Sequence, residues 1–144
     1  MLCKVFILSL GIYSLVSCTS QKNVNAYGKE AESIDLSEGQ QKLLKEYPLQ
    51  IKFNRIVEES RCPEGVDCIW AGVAVAEVEL TDKAAKPVIL NLATTDMQAK
   101  GYQKSTNFNG YTIALQNVAP YPTAERGTQD LKGNYKISIS IQKK

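Results

Sequence analysis

The stretch that decides the fold is Glu58-Glu59-Ser60-Arg61-Cys62-Pro63-Glu64-Gly65-Val66-Asp67-Cys68-Ile69-Trp70-Ala71-Gly72. It contains two of the four cysteines and the only tryptophan of the chain, and a Pro/Gly turn separates the two cysteines. On both sides of it, apolar and polar residues alternate with the period of a strand that has one buried face. We therefore expect a compact cysteine loop that connects two strands.

The alternation continues outward in both directions. Alternating segments lie at 34–37, 49–56, 73–80, 87–92, 111–115 and 135–141. The apolar parity shifts after Phe53, which predicts a bulge around Asn54 and Arg55. Val73 and Val75 occupy the second face of their segment, so this strand is expected to be buried on both sides at its start. Residues 43–47 fit a helical turn, and 93–109 fit a long loop that carries one short strand.

Six or more short alternating segments without a convincing helix predict an all-β fold. Its inward residues must meet a second sheet to be buried. We therefore expect an antiparallel β-sandwich, or an open barrel, of six to eight short strands with one disulfide-closed loop.

Composition and charge narrow the possible functions. The chain of 144 residues has 17 basic and 15 acidic residues and no histidine. The basic residues form no stripe, so nucleic acid is not an expected partner. The lack of histidine excludes Ser-His-Asp and Cys-His catalysis and histidine-bearing zinc sites. No catalytic residue and no cofactor is predicted, although chemistry by carboxylates alone stays open.

The N-terminus has the features of a bacterial lipoprotein signal. Lys4 is followed by an apolar run that is too short to span a bilayer as a stable helix. Leu15-Val16-Ser17-Cys18 resembles the bacterial lipobox, by which residues 1–17 would be a signal peptide and Cys18 the acylated mature N-terminus, with palmitate an expected chain. In the alternative reading, the signal is an ordinary secretory one and Cys18 is incidental.

This signal implies an order of segments along the chain and a cellular location. Residues 18–33 are polar and predict a flexible tether, and 34–144 predict a single β-sandwich domain. The expected partner is a membrane, bound through the lipid. Since no Asp follows Cys18, the bacterial outer membrane is favoured over the inner one.

Cys62 and Cys68 are expected to form a disulfide. They are the thiols that remain after Cys3 leaves with the signal and Cys18 is acylated, and such a pair oxidises outside the cytoplasm. A redox-active pair is disfavoured because five residues separate the cysteines and strands flank them. No metal is predicted. The nearby acidic residues could hold calcium, but their spacing does not match an EF-hand; they are Glu58, Glu59, Glu64 and Asp67.

Two side chains of the stretch have a structural and a binding interpretation. Trp70 is expected to pack over the disulfide and cover the end of the sandwich, and alternatively to be an exposed aromatic anchor for a protein or a glycan. Arg61 is expected to be a fixed donor fork that pairs with Glu59 or a loop carbonyl, and alternatively to bind a carboxylate ligand.

The stretch also resembles a family of small secreted or lipidated bacterial proteins of uncharacterised function. Their motif is (Asp/Glu)-Ser-Arg-Cys-Pro, a turn, and then Cys-x-Trp-x-Gly between two strands. The matching residues here are Glu59, Ser60, Arg61, Cys62, Pro63, Cys68, Trp70 and Gly72, with Glu at position 59 where Asp is commoner. The resemblance implies a β-sandwich with a disulfide and brings no activity with it.

These observations together predict a lipid-anchored, noncatalytic interaction or structural module of the bacterial cell envelope, with an envelope protein or a glycan as a possible partner. The alternative is a small inhibitor of a periplasmic or host hydrolase, in which the cysteine loop or the 93–109 loop enters the enzyme.

Overall fold

The computed structural model describes residues 31–82 and 86–144. The predicted signal peptide, Cys18 and most of the predicted tether lie outside the described residues. Within these two ranges, eight strands run antiparallel to their neighbours in two sheets of four. The strands are β1 (Glu32–Ser37), β2 (Gln41–Leu43), β3 (Leu49–Glu59), β4 (Ala74–Asp82), β5 (Val88–Ala93), β6 (Ser105–Phe108), β7 (Tyr111–Ala119) and β8 (Lys136–Lys143).

The first sheet has the order β1-β8-β7-β6 and the second the order β2-β3-β4-β5. Short 3-10 turns lie at Gln98–Lys100 and Thr128–Leu131. The two sheets also meet at one edge, where the Ala93 N–H donates to the Gln103 carbonyl over 2.9 Å. The predicted all-β sandwich is confirmed.

The core lies between the inner faces of both sheets. Its fully buried side chains include Ile51, Phe53 and Leu80 from the second sheet and Leu115 and Ile139 from the first. Burial of a large apolar side chain contributes about 1.5–3 kcal/mol, so the alternating residues supply the main stabilisation. Each sheet buries the apolar face of the other.

Two details predicted for the second sheet are confirmed. The register between β3 and β4 shifts between Phe53 and Arg55, where the bulge is predicted, and again between Ile56 and Glu58. Val73 and Val75 are completely buried in a small second cluster with Ala93. The start of β4 is therefore covered on both faces, and the cover on its outer face comes from the segment after β5.

The prediction of a helical turn at 43–47 is wrong. Leu43 ends β2, and the Leu44 N–H donates to the Leu49 carbonyl over 2.9 Å, so the chain reverses into the β2–β3 hairpin. Tyr47 is buried and its ring contacts Tyr111 edge-on, with ring centroids 4.9 Å apart. Packing of Leu44 and Tyr47 into the core outweighs the local preference for a helix.

Candidate functional site

The cysteine loop is closed at two levels. Cys62 and Cys68 form the predicted disulfide, with their Cα atoms 5.9 Å apart. Below it, the Ser60 N–H donates to the Val73 carbonyl and the Cys62 N–H to the Ala71 carbonyl, each over 2.8 Å. These backbone bonds extend the β3–β4 pairing into the loop, so the disulfide closes a loop whose two arms are already paired.

Gly72 allows the two arms to approach. A Cβ atom at this position would lie 1.7 Å from the Ser60 carbonyl oxygen and 2.7 Å from the Arg61 Cα. The φ angle of Gly72 is also +73°, which side-chain-bearing residues rarely adopt. The Gly of the sequence motif is therefore required by the backbone of the loop.

Arg61 fixes the base of the loop from inside the protein. Its Nε and Nη2 donate to the two carboxylate oxygens of Glu59 over 2.8 and 2.5 Å, and its Nη1 donates to the Val118 carbonyl over 2.7 Å. Nη2 also donates to the Pro120 carbonyl over 3.1 Å. Tyr121 covers the guanidinium, whose carbon lies 4.6 Å from the ring centroid. The predicted pairing of Arg61 with Glu59 and with loop carbonyls is confirmed.

Tyr135 completes this buried polar group. Burial, together with the charge of Glu59 and a hydrogen bond to it, raises the pKa of the Tyr135 hydroxyl to about 12. The neutral hydroxyl donates to the Glu59 carboxylate, and the raised pKa keeps it neutral at pH values where a solvent-exposed tyrosine would ionise. Glu59 and Arg61 are 7% and 6% exposed, and the partners of both lie within the chain. They are placed to hold the loop and do not present a free fork to a ligand.

Glu58 and Ser60 form a second polar group on the other face of β3. The Ser60 hydroxyl lies within hydrogen-bond distance of Glu58 Oε1, at 3.2 Å, and of the Val73 carbonyl, at 3.1 Å. Lys100 Nζ donates to Glu58 Oε1 over 3.0 Å, and the Tyr102 hydroxyl donates to Glu58 Oε2. The hydrogen bond from Tyr102, followed by that from Lys100, lowers the pKa of the Glu58 carboxyl below its ordinary value of 4.5.

The distal part of the loop is exposed and apolar. Ile69 is fully exposed, and Trp70 and Val66 are 47% and 45% exposed. The expectation that Trp70 covers the end of the sandwich is wrong, because about half of its side chain is exposed and it is not a member of the core cluster. One face of the Trp70 ring meets Lys100 Nζ, 5.4 Å from the ring centroid.

The acidic residues near the loop do not converge. Among residues 31–82 and 86–144, no group of three or more Cys, Asp or Glu side chains is placed to hold a metal ion. Glu64 pairs with the neighbouring 122–124 segment: its N–H donates to the Pro122 carbonyl and its carbonyl accepts the Ala124 N–H, each over 3.0 Å. Within the turn, the Val66 N–H donates to the Pro63 carbonyl over 3.2 Å. These bonds shape the turn between the cysteines.

Sequence reasoning did not find the partners that come from distant segments. These partners are Lys100, Tyr102, Val118, Pro120, Tyr121 and Tyr135. They lie 28 to 63 positions beyond Gly72, and no local pattern links them to the loop. The signal closest to them is the run Pro120-Tyr121-Pro122, which interrupts the alternation after β7.

No protein-family model, curated protein or solved structure matches the chain. Within the described ranges, no helix is both long and apolar enough to cross a membrane. What the protein does is therefore inferred from its own residues.

Proposed function

We propose that the chain is a lipid-anchored bacterial cell-envelope protein whose β-sandwich is a noncatalytic interaction module, with the disulfide loop as its binding surface. The observation that carries this proposal is the complete exposure of Ile69 beside Trp70, on a loop whose base is fixed by buried hydrogen bonds. Exposed apolar clusters on a polar surface mark interaction sites. The resemblance of the loop motif to that of secreted and lipidated bacterial proteins agrees with this proposal.

The rigidity of the loop supports binding. A loop that is already held in one conformation loses little conformational entropy when a partner contacts it. Here the disulfide, the paired arms and the Arg61 donor fork all restrain the segment that carries the exposed residues. The loop therefore combines an apolar surface with a low cost of ordering.

The direction of the strands supports the lipid anchor. Glu32 at the start of β1 pairs with Ile141, near the last residues of the chain. At the opposite end of this sheet, Lys136 pairs with both Ser37 and Ala119, next to the carbonyls that bind Arg61. The chain thus enters the sandwich at the end away from the disulfide loop. A tether from an acylated Cys18 would direct the loop away from the membrane.

A noncatalytic role agrees with how the charged residues of the motif are used. Besides pairing with each other, Glu59 accepts a hydrogen bond from Tyr135, and Arg61 donates hydrogen bonds to main-chain carbonyls. Beside the 94–104 loop lies an open depression of about 580 Å³ with Asp96 as its one carboxylate. That carboxylate accepts the Lys104 N–H over 2.7 Å. Neither group presents the pair of facing carboxylates that carboxylate-only hydrolysis uses.

The same geometry favours a second candidate, an inhibitor of a periplasmic or host hydrolase. A disulfide-closed loop that projects an apolar side chain is shaped to enter an enzyme cleft. Ile69 would be the inserted residue, because it is the most exposed apolar side chain among those described. Inhibition would then be the consequence of binding through the same loop.

The experiment is site-specific photo-crosslinking in intact cells. A photoreactive amino acid replaces Ile69 in one variant and Ile89 in the control. Ile89 is 51% exposed, and its β5 position pairs with Glu79, far along the sheet from the loop. We expect one defined envelope component to crosslink from position 69 and not from position 89. Equal crosslinking from both positions, or none from position 69, would contradict binding through the loop.

Activity assays on the captured partner separate the two candidates. A hydrolase that loses activity when the purified chain is added, and keeps it when Ile69→Asp is added, identifies an inhibitor. If the purified chain causes no loss of the partner's activity, the protein is an interaction module. The anchor is tested independently by Cys18→Ser, which should move the protein to the soluble fraction and abolish its labelling by a fatty acid. Labelling that persists in the variant would contradict acylation at Cys18.

A further inference from the structure

The ammonium group of Lys100 lies between two aromatic rings and a carboxylate. Its Nζ is 5.4 Å from the centroid of the Trp70 ring, 5.6 Å from that of Tyr102, and 3.0 Å from Glu58 Oε1. A cation within about 6 Å of an aromatic centroid is attracted by the ring. The three groups thus form a site with the chemistry for one organic cation, and a lysine of the same chain fills it.

Two walls of this site, Tyr102 and Glu58, are held by groups other than Lys100, and the disulfide restrains the backbone that carries Trp70. Tyr102 packs on the buried cluster of Val73, Val75 and Ala93, and its hydroxyl donates to Glu58. Ser60 holds the same carboxylate from the other side. Trp70 follows Cys68 of the disulfide by two positions. A change at position 100 should therefore leave the site formed and empty.

Lys100 itself is only loosely held. It is the last residue of the three-residue 3-10 turn Gln98–Lys100, and its side chain is 42% exposed. A partly exposed ion pair and an exposed cation–aromatic contact are both weak interactions. A cation from outside can therefore compete with Lys100 for the rings and the carboxylate.

The charges around the site favour a basic partner. Between Cys62 and Trp70 the only charged residues are Glu64 and Asp67, and both are exposed. In the neighbouring segment, Glu125 and Arg126 are exposed and cancel each other in charge. The exposed apolar surface of the loop is thus bordered by net negative charge, which complements lysine and arginine side chains.

We propose that Lys100 is an internal occupant of a cation site, and that a lysine or arginine side chain from a basic segment of the protein partner replaces it between Trp70 and Tyr102 against Glu58. This inference rests on the proposed binding role of the disulfide loop and names the chemistry that the loop recognises. Displacement would release Lys100 to solvent and couple the exposed Ile69 surface to a specific charged contact.

The test uses the full chain, purified in detergent, and the indole N–H resonance of Trp70, the only tryptophan. The probe is Nα-acetyl-lysine N-methylamide, and its neutral counterpart is the norleucine analogue. In Lys100→Ala we expect the lysine probe to shift the Trp70 resonance and to bind roughly fivefold more tightly than in wild type, the size of one exposed cation–aromatic contact. The norleucine analogue should not produce this shift.

Two further variants separate the site from general electrostatics. Lys104→Ala removes an exposed positive charge from the same loop without emptying the space between the rings. The affinity of this variant for the lysine probe should equal that of wild type. Glu58→Gln in the Lys100→Ala background should lose the gain. The proposal is overturned if Lys100→Ala binds no more tightly than wild type, if Lys104→Ala gains equally, or if norleucine binds as well as lysine. Because no partner is present, these results do not depend on the crosslinking from Ile69.

Discussion

Arg61 donates three hydrogen bonds to Glu59, from its backbone N–H, Nε and Nη2, over 3.2, 2.8 and 2.5 Å. The two residues are separated by one position in the sequence, and both are almost completely buried. Arg61 thereby connects the end of β3 to the carbonyl of Val118, near the end of β7, and to that of Pro120, just after β7. The polar pair joins the two sheets at the base of the disulfide loop.

Removal of the arginine charge should destabilise the fold strongly. We expect Arg61→Met to lower the free energy of unfolding by about 3–5 kcal/mol, because it leaves the Glu59 carboxylate buried without its cation. Urea denaturation measures the change. The matched control is Arg55→Met: Arg55 is 64% exposed and lies 3.6 Å from Glu77, so its loss should cost less than about 1 kcal/mol. Similar losses in both variants would contradict a structural role for the buried pair.

Gly72→Ala should be more damaging than an alanine at another glycine with a positive φ. At Gly101, φ is +69° and a Cβ would meet nothing within 4 Å, so the substitution should cost only the backbone strain of about 1–2 kcal/mol. At Gly72 an alanine would have the same backbone strain, and its Cβ atom would also collide with the Ser60 carbonyl oxygen. Thermal unfolding of both variants checks this order. A Gly72→Ala protein as stable as Gly101→Ala would show that the two arms can separate freely.

Loss of the disulfide should weaken the protein without unfolding it. The chain-entropy relation gives roughly 2 kcal/mol for a loop with cysteines six positions apart. We expect Cys62→Ser/Cys68→Ser to lower the free energy of unfolding by this amount and to keep the far-UV circular dichroism of the sandwich, since the core between the sheets does not involve the loop. Wild type in a reducing agent should match the variant. Collapse of the whole domain would contradict the separation of loop and core.

The network around Glu58 should make stability depend on acid pH. The folded state lowers the pKa of Glu58, so its charged form favours folding. This contribution is present above the ordinary value of 4.5 and is lost as the pH falls through the lower folded value. Tyr102→Phe removes the main cause of the shift. Urea midpoints between about pH 6 and pH 2 should therefore fall more steeply for wild type than for the variant, and parallel curves would exclude this contribution.

Much of the fold is predictable from the sequence because strand burial follows a local rule. The alternation of Ile137, Ile139 and Ile141, and of Leu49, Ile51 and Phe53, assigns the inward face of each strand. The bulge after Phe53 appears in the same pattern as a change of parity. The predicted helical turn at 43–47 is wrong because the conformation of this segment depends on the packing of Leu44 and Tyr47 in the core, which local helix preference does not include.

In the candidate site, too, some features could be predicted from the sequence and others could not. The disulfide could be predicted from Cys62 and Cys68, since two thiols close in sequence oxidise outside the cytoplasm. The exposure of Trp70 and the position of Lys100 over its ring could not, because both depend on how segments that are distant in the sequence pack together.

The sequence by itself determined six of the eight described strands, their inward faces and the closure of the cysteine loop, because each of these depends on residues that are near neighbours in the chain. Only the tertiary structure decided that Arg61 is buried and Trp70 exposed. Arg61 is buried because Val118, Pro120 and Tyr121 meet it from more than 50 positions away. Such contacts form only when the two sheets pack against each other. This packing places Arg61 of the motif in the interior and Trp70 of the same motif at the surface.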